Sequence, residues 1–280
     1  MIHEQYCPVS KLETILMATD RSAFSQGAVR EAINFAKKCS SKLYVMSVLE
    51  SNPEYETIGA NVFQKEEEEA RKYLGSVKSG ALQEGVDCEV ILREGDEPYR
   101  LIVNEAVGKK ADIIVIGRHG RTGLIKILMG KVAANVIGLA PCKVLVVPKA
   151  ARIEYRKILV ATDGSEHSVA ATSEAIGIAK RTGSNIVAVS VAHSEMEVEE
   201  AKKNVDKVLE MAQKEGIQLE EALVPIGKPY EVIVEIAGGR GVDLIVMGTY
   251  GKTGLKKLLM GSSTEKVVGL AGCAVLVAKS

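Results

Sequence analysis

The sequence is poor in the features that mark disulfide-built domains. It has no tryptophan, and its five cysteines (Cys7, Cys39, Cys88, Cys142 and Cys273) are scattered and never spaced as Cys-x-x-Cys. This pattern argues against a cysteine-rich zinc site and against a disulfide framework. We therefore expect the cysteines to be small apolar side chains in a reducing cytoplasm.

Other absences exclude further classes. No apolar run reaches the roughly 20 residues that a membrane-spanning helix needs. The first residues, Met1 to Gln5, carry no basic region followed by an apolar stretch, so we expect no signal peptide and no membrane association. The 36 basic and 36 acidic side chains cancel, whereas a sequence-independent nucleic-acid binder needs a basic excess. We expect a cytoplasmic protein that binds no nucleic acid.

An internal repeat is the strongest feature that is present. Residues 111–124, ADIIVIGRHGRTGL, recur at residues 242–255 as VDLIVMGTYGKTGL, an offset of 131. Residues 15–20, ILMATD, recur at residues 158–163 as ILVATD, an offset of 143. Self-similarity at a fixed distance indicates repeated structural units. The first copy therefore carries about a dozen extra residues, which we place in a predicted loop from Ser51 to Phe63.

The repeat predicts two tandem domains in this chain of 280 residues, which is long enough for two cores. We place the first domain at residues 1–150 and the second at residues 151–280. The copies join over a few residues only, so we expect them to pack on each other as a pseudo-symmetric dimer within one chain. The sequence leaves open whether chains assemble further into a homodimer.

Each copy alternates short apolar runs with amphipathic stretches. The predicted strands of the second copy are Lys157–Ala161, Asn185–Val191, Gln218–Val224, Asp243–Gly248 and Ala274–Ala278, and those of the first copy are Thr14–Ala18, Lys42–Leu49, Cys88–Leu92, Ile113–Ile116 and Val144–Val147. The predicted helices of the second copy are Glu166–Arg181, Glu195–Glu215, Pro229–Gly239 and Ser262–Leu270. Strand–helix alternation at this spacing predicts an α/β fold, with a parallel sheet covered by helices on both faces.

Two strand ends in each copy have unusual residues, and ligands of such sheets bind at the carboxyl ends of strands. In both copies the first strand ends in Thr-Asp. In the second copy the fourth strand ends at Gly248, and two further glycines, Gly251 and Gly261, follow it. Residues 262–264, Ser-Ser-Thr, then open a helix. Glycines, hydroxyls and a helix N-terminus together favour a phosphate cradle. The same residues also suit an ordinary turn and a helix cap, so the pattern by itself leaves both interpretations open.

Two better-known phosphate motifs do not fit. A Walker A loop needs glycine where Val246 stands, and residues 163–167, DGSEH, do not supply a dinucleotide-binding Gly-x-Gly-x-x-Gly. The pattern that is present, Gly-x2-Gly-x9-Gly-Ser downstream of an Ala-Thr-Asp strand end, resembles the ATP-binding subgroup of the universal stress protein family. The resemblance covers nearly the whole chain, twice. It implies two Rossmann-like domains of the adenine nucleotide alpha hydrolase-like kind, each with a five-stranded parallel sheet.

The resemblance also implies which residues hold an adenine nucleotide across the strand ends. In the second copy, Thr162 and Asp163 would border the adenine and ribose, and the backbone of Val191 would contact the adenine. Met247 and Gly248 would lie under the ribose. The phosphates would be held by Tyr250, Gly251, Gly261, Ser262, Ser263 and Thr264. The matching residues of the first copy are Thr19, Asp20, Val48, Ile116, Gly117, His119, Gly120, Gly130 and Lys131.

The first copy departs from the motif at its phosphate end. Lys131-Val132-Ala133 replace the Ser-Ser-Thr of the second copy, which removes three hydroxyls. The lysine would either reach the phosphates as a point charge or fill their space with its stem. Basic residues surround both predicted phosphate positions: Arg118, Arg121, Lys126, Lys252, Lys256 and Lys257.

Signs of catalysis and of a protein-bound metal are sparse. Each predicted site offers one carboxylate, Asp20 or Asp163, and general acid–base catalysis needs a positioned base. His167 and His193 have no partner at metal-ligand spacing. Magnesium would sit mainly on the phosphates of ATP, ADP or AMP, with few protein ligands. We interpret the chain as a stress-response nucleotide sensor that acts through conformation or assembly; the alternatives are a slow ATPase that keeps AMP or ADP bound and a nucleotide-free interaction module.

The departure at Lys131 predicts unequal sites, the second being the better triphosphate site. The Gly120→Asp variant, which keeps the second site, should bind ATP more tightly than Gly251→Asp, because only the second site has the hydroxyls. Calorimetric titration of both variants measures this difference. Equal affinities would contradict the prediction.

Overall fold

The computed structural model describes residues 7–9, 12–50, 60–118, 129–251 and 260–279. The strands of this part of the chain are β1 Thr14–Ala18, β2 Lys42–Leu49, β3 Cys88–Glu94, β4 Ile113–Gly117, β5 Lys143–Val147, β6 Lys157–Ala161, β7 Asn185–Val189, β8 Leu219–Leu223, β9 Leu244–Gly248 and β10 Ala274–Ala278. Its α-helices are α1 Gln26–Cys39, α2 Ala60–Gln83, α3 Pro98–Gly108, α4 Lys131–Leu139, α5 Glu166–Thr182, α6 Val198–Lys214, α7 Pro229–Gly239 and α8 Ser262–Leu270.

The predicted elements agree with these bounds to within two residues, apart from two segments. Of the predicted loop from Ser51 to Phe63, residues 60–63 belong to α2, and residues 51–59 lie outside the described residues. The predicted helix Glu195–Glu215 is split into a short 3-10 turn at Glu195–Glu197 and the helix α6. The division of the chain after residue 150 stays a prediction.

All ten strands form one sheet in the order β3-β2-β1-β4-β5-β10-β9-β6-β7-β8. Within each half the neighbouring strands are parallel. The halves meet where β5 pairs antiparallel with β10, with Val146 opposite Val275. The predicted α/β class, with helices on both faces, is confirmed. The edge-to-edge continuation of one sheet into the other is an addition that the repeat does not predict.

The helices divide between the faces in the same way in both halves. Buried residues of α1, α2, α5 and α6 join one apolar cluster, and those of α3, α4, α7 and α8 join the other. After β6 the chain therefore continues to one face of the sheet, whereas after the neighbouring strand β9 it continues to the opposite face. An open crevice at the carboxyl ends of these strands follows from that divergence. The same holds for β1 and β4.

Polar contacts support the junction between the halves. The ammonium group of Lys143 in β5 lies 2.9 Å from the carboxylate of Glu174 in α5. Across the opposite face, Nη1 of Arg118 donates a hydrogen bond of 2.6 Å to the backbone carbonyl of Ala271, directly after α8. A cation at the end of a helix complements its dipole. None of the helices in the described part of the chain is long and apolar enough to cross a membrane.

The expectation that no cysteines pair is wrong. Cys7 and Cys39 form a disulfide, because the segment before β1 folds back onto the end of α1 and brings together residues that are 32 apart in sequence. Neither the odd number of cysteines nor their spacing indicates this pair. Cys88, Cys142 and Cys273 are free thiols, and burial raises the pKa of each to about 11. These three fit the expected apolar role, since a raised pKa suppresses the reactive thiolate.

The disulfide should determine how many cysteines can be alkylated, and it should raise the free energy of unfolding. When the protein is unfolded without reductant and then alkylated, three cysteines should be labelled. When it is reduced first, all five should be labelled. The Cys39→Ser variant should lose about 3–4 kcal/mol of unfolding free energy, because the cross-link closes a loop of this length. Intact-mass measurement and denaturant titration check the two expectations. Five labelled thiols before reduction would show that the bond does not form.

Candidate functional site

A cavity lies at the carboxyl ends of the strands in each half. The cavity of the second half, here the second pocket, has a volume of about 380 Å³ and lies between β6, β7, β9 and the N-terminus of α8. Its counterpart, the first pocket, has a volume of about 270 Å³ and lies between β1, β2, β4 and the N-terminus of α4. Ligand pockets typically span about 300–1,000 Å³, so the second pocket has room for a small organic ligand.

The structure brings the predicted site residues of the second copy together. All of them line the second pocket: Thr162, Asp163, Val191, Met247, Gly248, Tyr250, Gly251, Gly261, Ser262, Ser263 and Thr264. In the first pocket the lining includes Thr19, Asp20, Val48, Ile116, Gly117, Gly130 and Lys131. His119 and Gly120 lie outside the described residues.

The Thr-Asp strand end forms a hydrogen-bonded turn. Oδ1 of Asp163 accepts bonds from the backbone N–H of Ser165 at 3.1 Å and from its hydroxyl at 2.6 Å. The hydroxyl of Thr162 accepts from the N–H of Gly164 and lies 3.1 Å from the hydroxyl of Ser168. These bonds fix the Asp163 carboxylate at the mouth of the crevice. The side chain of Thr162 is buried, with 8% of its surface exposed, and its hydrogen bonds stabilise the turn.

The first copy builds the same turn with one substitution. Oδ1 of Asp20 accepts from both the N–H and the hydroxyl of Ser22. Arg21 stands where the second copy has Gly164, and it adopts the same left-handed backbone, with φ of 67° against 79°. Its guanidinium lies 2.9 Å from the carboxylate of Glu66 in α2. The first turn is therefore tied to α2 by an ion pair whose arginine the second turn lacks.

Two glycines are required by packing around the Thr-Asp turn. A Cβ added to Gly248 would lie 2.7 Å from the backbone carbon of His167, in the first turn of α5. A Cβ added to Gly251 would lie 2.5 Å from Oδ2 of Asp163. Such contacts are too short for real side chains, so these glycines let the loop after β9 lie directly against the turn after β6.

Gly261 is different, because the protein itself does not require a glycine there. Its φ is −65°, which any residue adopts. An added Cβ would meet its nearest described neighbour, the carbonyl oxygen of Thr249, at an ordinary 3.4 Å. Gly261 is also the N-cap of α8 and provides no side chain to cap the helix. The first amide N–H groups of the helix, those of residues 262–264, have no partner within an α-helix and can bind an anion.

The three hydroxyl side chains after Gly261 are not equivalent. The hydroxyl of Thr264 is buried and donates to the carbonyl of Gly248 at 3.0 Å, so it joins α8 to the end of β9. Ser262 and Ser263 line the cavity. In the first pocket the matching residues are Lys131, Val132 and Ala133, which leave one cation in place of the hydroxyls.

The second pocket also has a polar wall that the sequence analysis missed. It is formed by the end of β7 and by the start of α6, and its residues are Ser190, Ala192, His193, Glu197, Glu200 and Asn204. The N–H of His193 donates to the carboxylate of Glu197 at 3.0 Å. The polar Ser190 directly before Val191 was the available signal. Helix α6 gave none, because its polar residues have the periodicity of a solvated face.

The charges at the two pockets differ as well. Of the six basic residues expected near the phosphates, only Arg118 belongs to the described residues. It lines the first pocket, and its partial burial lowers the pKa of its guanidinium. Within the described residues, no group of three or more histidine, cysteine or acidic side chains is placed to hold a metal ion. The described lining of the second pocket has its carboxylates at Asp163, Glu197 and Glu200.

Comparison with known proteins identifies the repeat. The model of the universal stress protein family matches residues 11–148 and again residues 154–279. A universal stress protein of Methanocaldococcus jannaschii is 38% identical over 141 residues, which are 45% of this chain and 82% of that protein. One from Synechocystis is 34% identical over 148 residues, 48% of this chain and 96% of that protein.

The whole chain also resembles a solved structure. A universal stress protein from Archaeoglobus fulgidus superposes with a TM-score of 0.79 and covers 98% of both chains, at 22% sequence identity. At that identity the likeness concerns the fold. Because the superposition covers nearly all of both chains, the shared fold includes both halves and not only one of them.

The packing at Gly248 predicts a stability defect. Gly248→Ala should lower the free energy of unfolding by about 1–3 kcal/mol, because the new methyl group meets backbone that cannot rotate away. Gly272→Ala is the matched control, since an added Cβ there meets no described atom within 4 Å. Denaturant titration of both variants measures the effect. Equal stability of the two would contradict the account of the turn.

Proposed function

The chain belongs to the universal stress protein family, and we propose that it binds adenine nucleotides in its two pockets as a regulatory protein. The observation that carries this proposal is Gly261, a glycine that neither backbone strain nor packing among the described residues explains. A ligand phosphate lying against the N-terminus of α8 supplies the missing reason. A Cβ at that position would stand between the phosphate and the amides.

Hydrogen bonding supports phosphate as the group bound at α8. The amides of residues 262–264 begin the helix, and the hydroxyls of Ser262 and Ser263 stand beside them on the cavity wall. Amides and a helix dipole favour a negative charge. The lysines expected beside this cradle, Lys252, Lys256 and Lys257, lie outside the described residues.

The position of Asp163 supports a nucleotide rather than free phosphate. Its carboxylate is held at the end of β6, which lies between β9 and β7 in the sheet. A carboxylate accepts hydrogen bonds but donates none, and a ribose has hydroxyls to offer it. In this arrangement the phosphates lie over β9, the ribose over β6 and the base beside Val191, at the end of β7.

Differences between the pockets support unequal sites. The second pocket is larger, at about 380 Å³ against about 270 Å³, and has the hydroxyls. We propose that it takes ATP, with Mg²⁺ held through the phosphates. The first pocket, where Lys131 and Arg118 line the wall, suits a shorter or weaker-bound nucleotide such as AMP or ADP.

The arrangement of the acidic residues supports binding rather than turnover. Hydrolysis needs a base close to the attacking water, and the described carboxylates of the second pocket stand at its ribose and base sides. The two halves, joined through β5 and β10, would act as an intramolecular pair. We propose that nucleotide occupancy changes the surface that this pair presents to a protein partner in the cytoplasm.

The experiment that tests the proposal is calorimetric titration with ATP of the wild type, Gly261→Ala and Gly272→Ala. Gly261→Ala should weaken the tighter binding phase by about tenfold, which corresponds to the loss of one hydrogen bond to a charged group. Its melting temperature should stay close to that of the wild type, because the protein tolerates a Cβ at Gly261.

Gly272→Ala should leave both binding and stability unchanged. If the wild type binds ATP and Gly261→Ala binds it equally well, the cradle at α8 is not the phosphate site. If the wild type binds no nucleotide, the proposed function is wrong.

A further inference from the structure

The two ends of the second pocket are chemically different. At one end are the amides and hydroxyls of α8, and at the other are the strand end of β7 and the side chains of α6. The sheet order β9-β6-β7 separates these ends by one strand. A nucleotide whose phosphates lie at α8 therefore has its base against β7 and α6. Asn204 of α6 lines this end, and its side-chain amide can both donate and accept hydrogen bonds.

The amide of Asn204 is held by a buried partner. Its nitrogen Nδ2 donates to the hydroxyl of Ser190 at 3.2 Å. Ser190 is 2% exposed, and its own N–H donates to the carbonyl of Leu223 in β8. The hydroxyl is therefore anchored to the sheet. This bond uses one of the two N–H donors of the amide, and the carbonyl oxygen is the acceptor that the amide offers to a ligand.

The first copy shows that this pair is not a requirement of the repeat. Ser47 matches Ser190 at the offset of 143, before the extra residues of the first copy, and Tyr73 matches Asn204 at the offset of 131, after them. Neither lines the first pocket. Ser47 is 1% exposed, and its hydroxyl has no hydrogen-bond partner among the described residues. The fold thus tolerates the buried serine without an asparagine, so the bond between Ser190 and Asn204 is particular to the second copy.

We propose that Asn204 selects a 6-aminopurine in the second pocket, an inference that rests on the proposed nucleotide binding. The amide oxygen accepts a hydrogen bond from the exocyclic amino group of adenine. A purine with a carbonyl oxygen at that position places two acceptors against each other. In protein–DNA complexes asparagine binds adenine through both amide atoms, and the oxygen is the atom that accepts from the amino group. A site built around such a hydrogen bond rejects the analogue that lacks the donor.

The test compares ATP with inosine triphosphate, which differs from ATP in having oxygen in place of the 6-amino group. Both are titrated into the full chain of the wild type and of Asn204→Ala. The wild type should prefer ATP, and the variant should lose about tenfold of that preference while it keeps its phosphate cradle. Ser190→Ala, which releases the amide from its anchor, should lower the preference in the same direction.

Asn185→Ala is the matched control, since Asn185 is an exposed asparagine at the opposite end of β7. It should bind both triphosphates as the wild type does. An unchanged preference in both Asn204→Ala and Ser190→Ala, or an equal loss for the two triphosphates, would mean that Asn204 only supports α6 and would overturn the proposal. If the wild type binds neither triphosphate, the proposed function itself fails, which is a different result.

Discussion

The site depends on one topological constraint, the divergence of two neighbouring strands. β6 and β9 lie side by side, but the chain continues from β6 towards β7 and from β9 towards β10, on opposite sides. Since parallel crossovers are right-handed, their helices α5 and α8 must cover opposite faces. The crevice between them can be narrow only because Gly248 lets the end of β9 lie against the backbone of His167. That approach brings the Asp163 turn to the N-terminus of α8.

The two halves share this backbone arrangement and differ in the side chains that surround it. The Thr-Asp turn, the uncapped helix N-terminus and the division of helices between the faces are repeated. The residues around them are not: Arg21 replaces Gly164, Lys131 replaces Ser262, and Tyr73 replaces Asn204. Duplication therefore gives one chain two pockets with different linings. Arg118 lines the first pocket and donates a hydrogen bond to the carbonyl of Ala271, which follows the C-terminus of α8 in the other half.

The fold could be predicted from the sequence because its signals are local and occur twice. Buried strands such as β9 are continuous apolar runs, and the Thr-Asp and glycine patterns mark the strand ends. The cysteine pair and the contribution of Asn204 to the second pocket could not be predicted. Both depend on tertiary packing, which brings Cys7 onto the end of α1 and α6 onto the end of β7. The antiparallel pairing of β5 with β10 is a contact of the same kind.

The most direct test of the central claim is to identify the nucleotides that freshly purified protein releases when it is denatured, by chromatography. The account predicts an adenine nucleotide in stoichiometric amount, with ATP in the second pocket. Release of no nucleotide, together with no thermal stabilisation by added ATP, would contradict it. In that case the strand-end pockets would not be nucleotide sites, and the paired domains would be better understood as an interaction module.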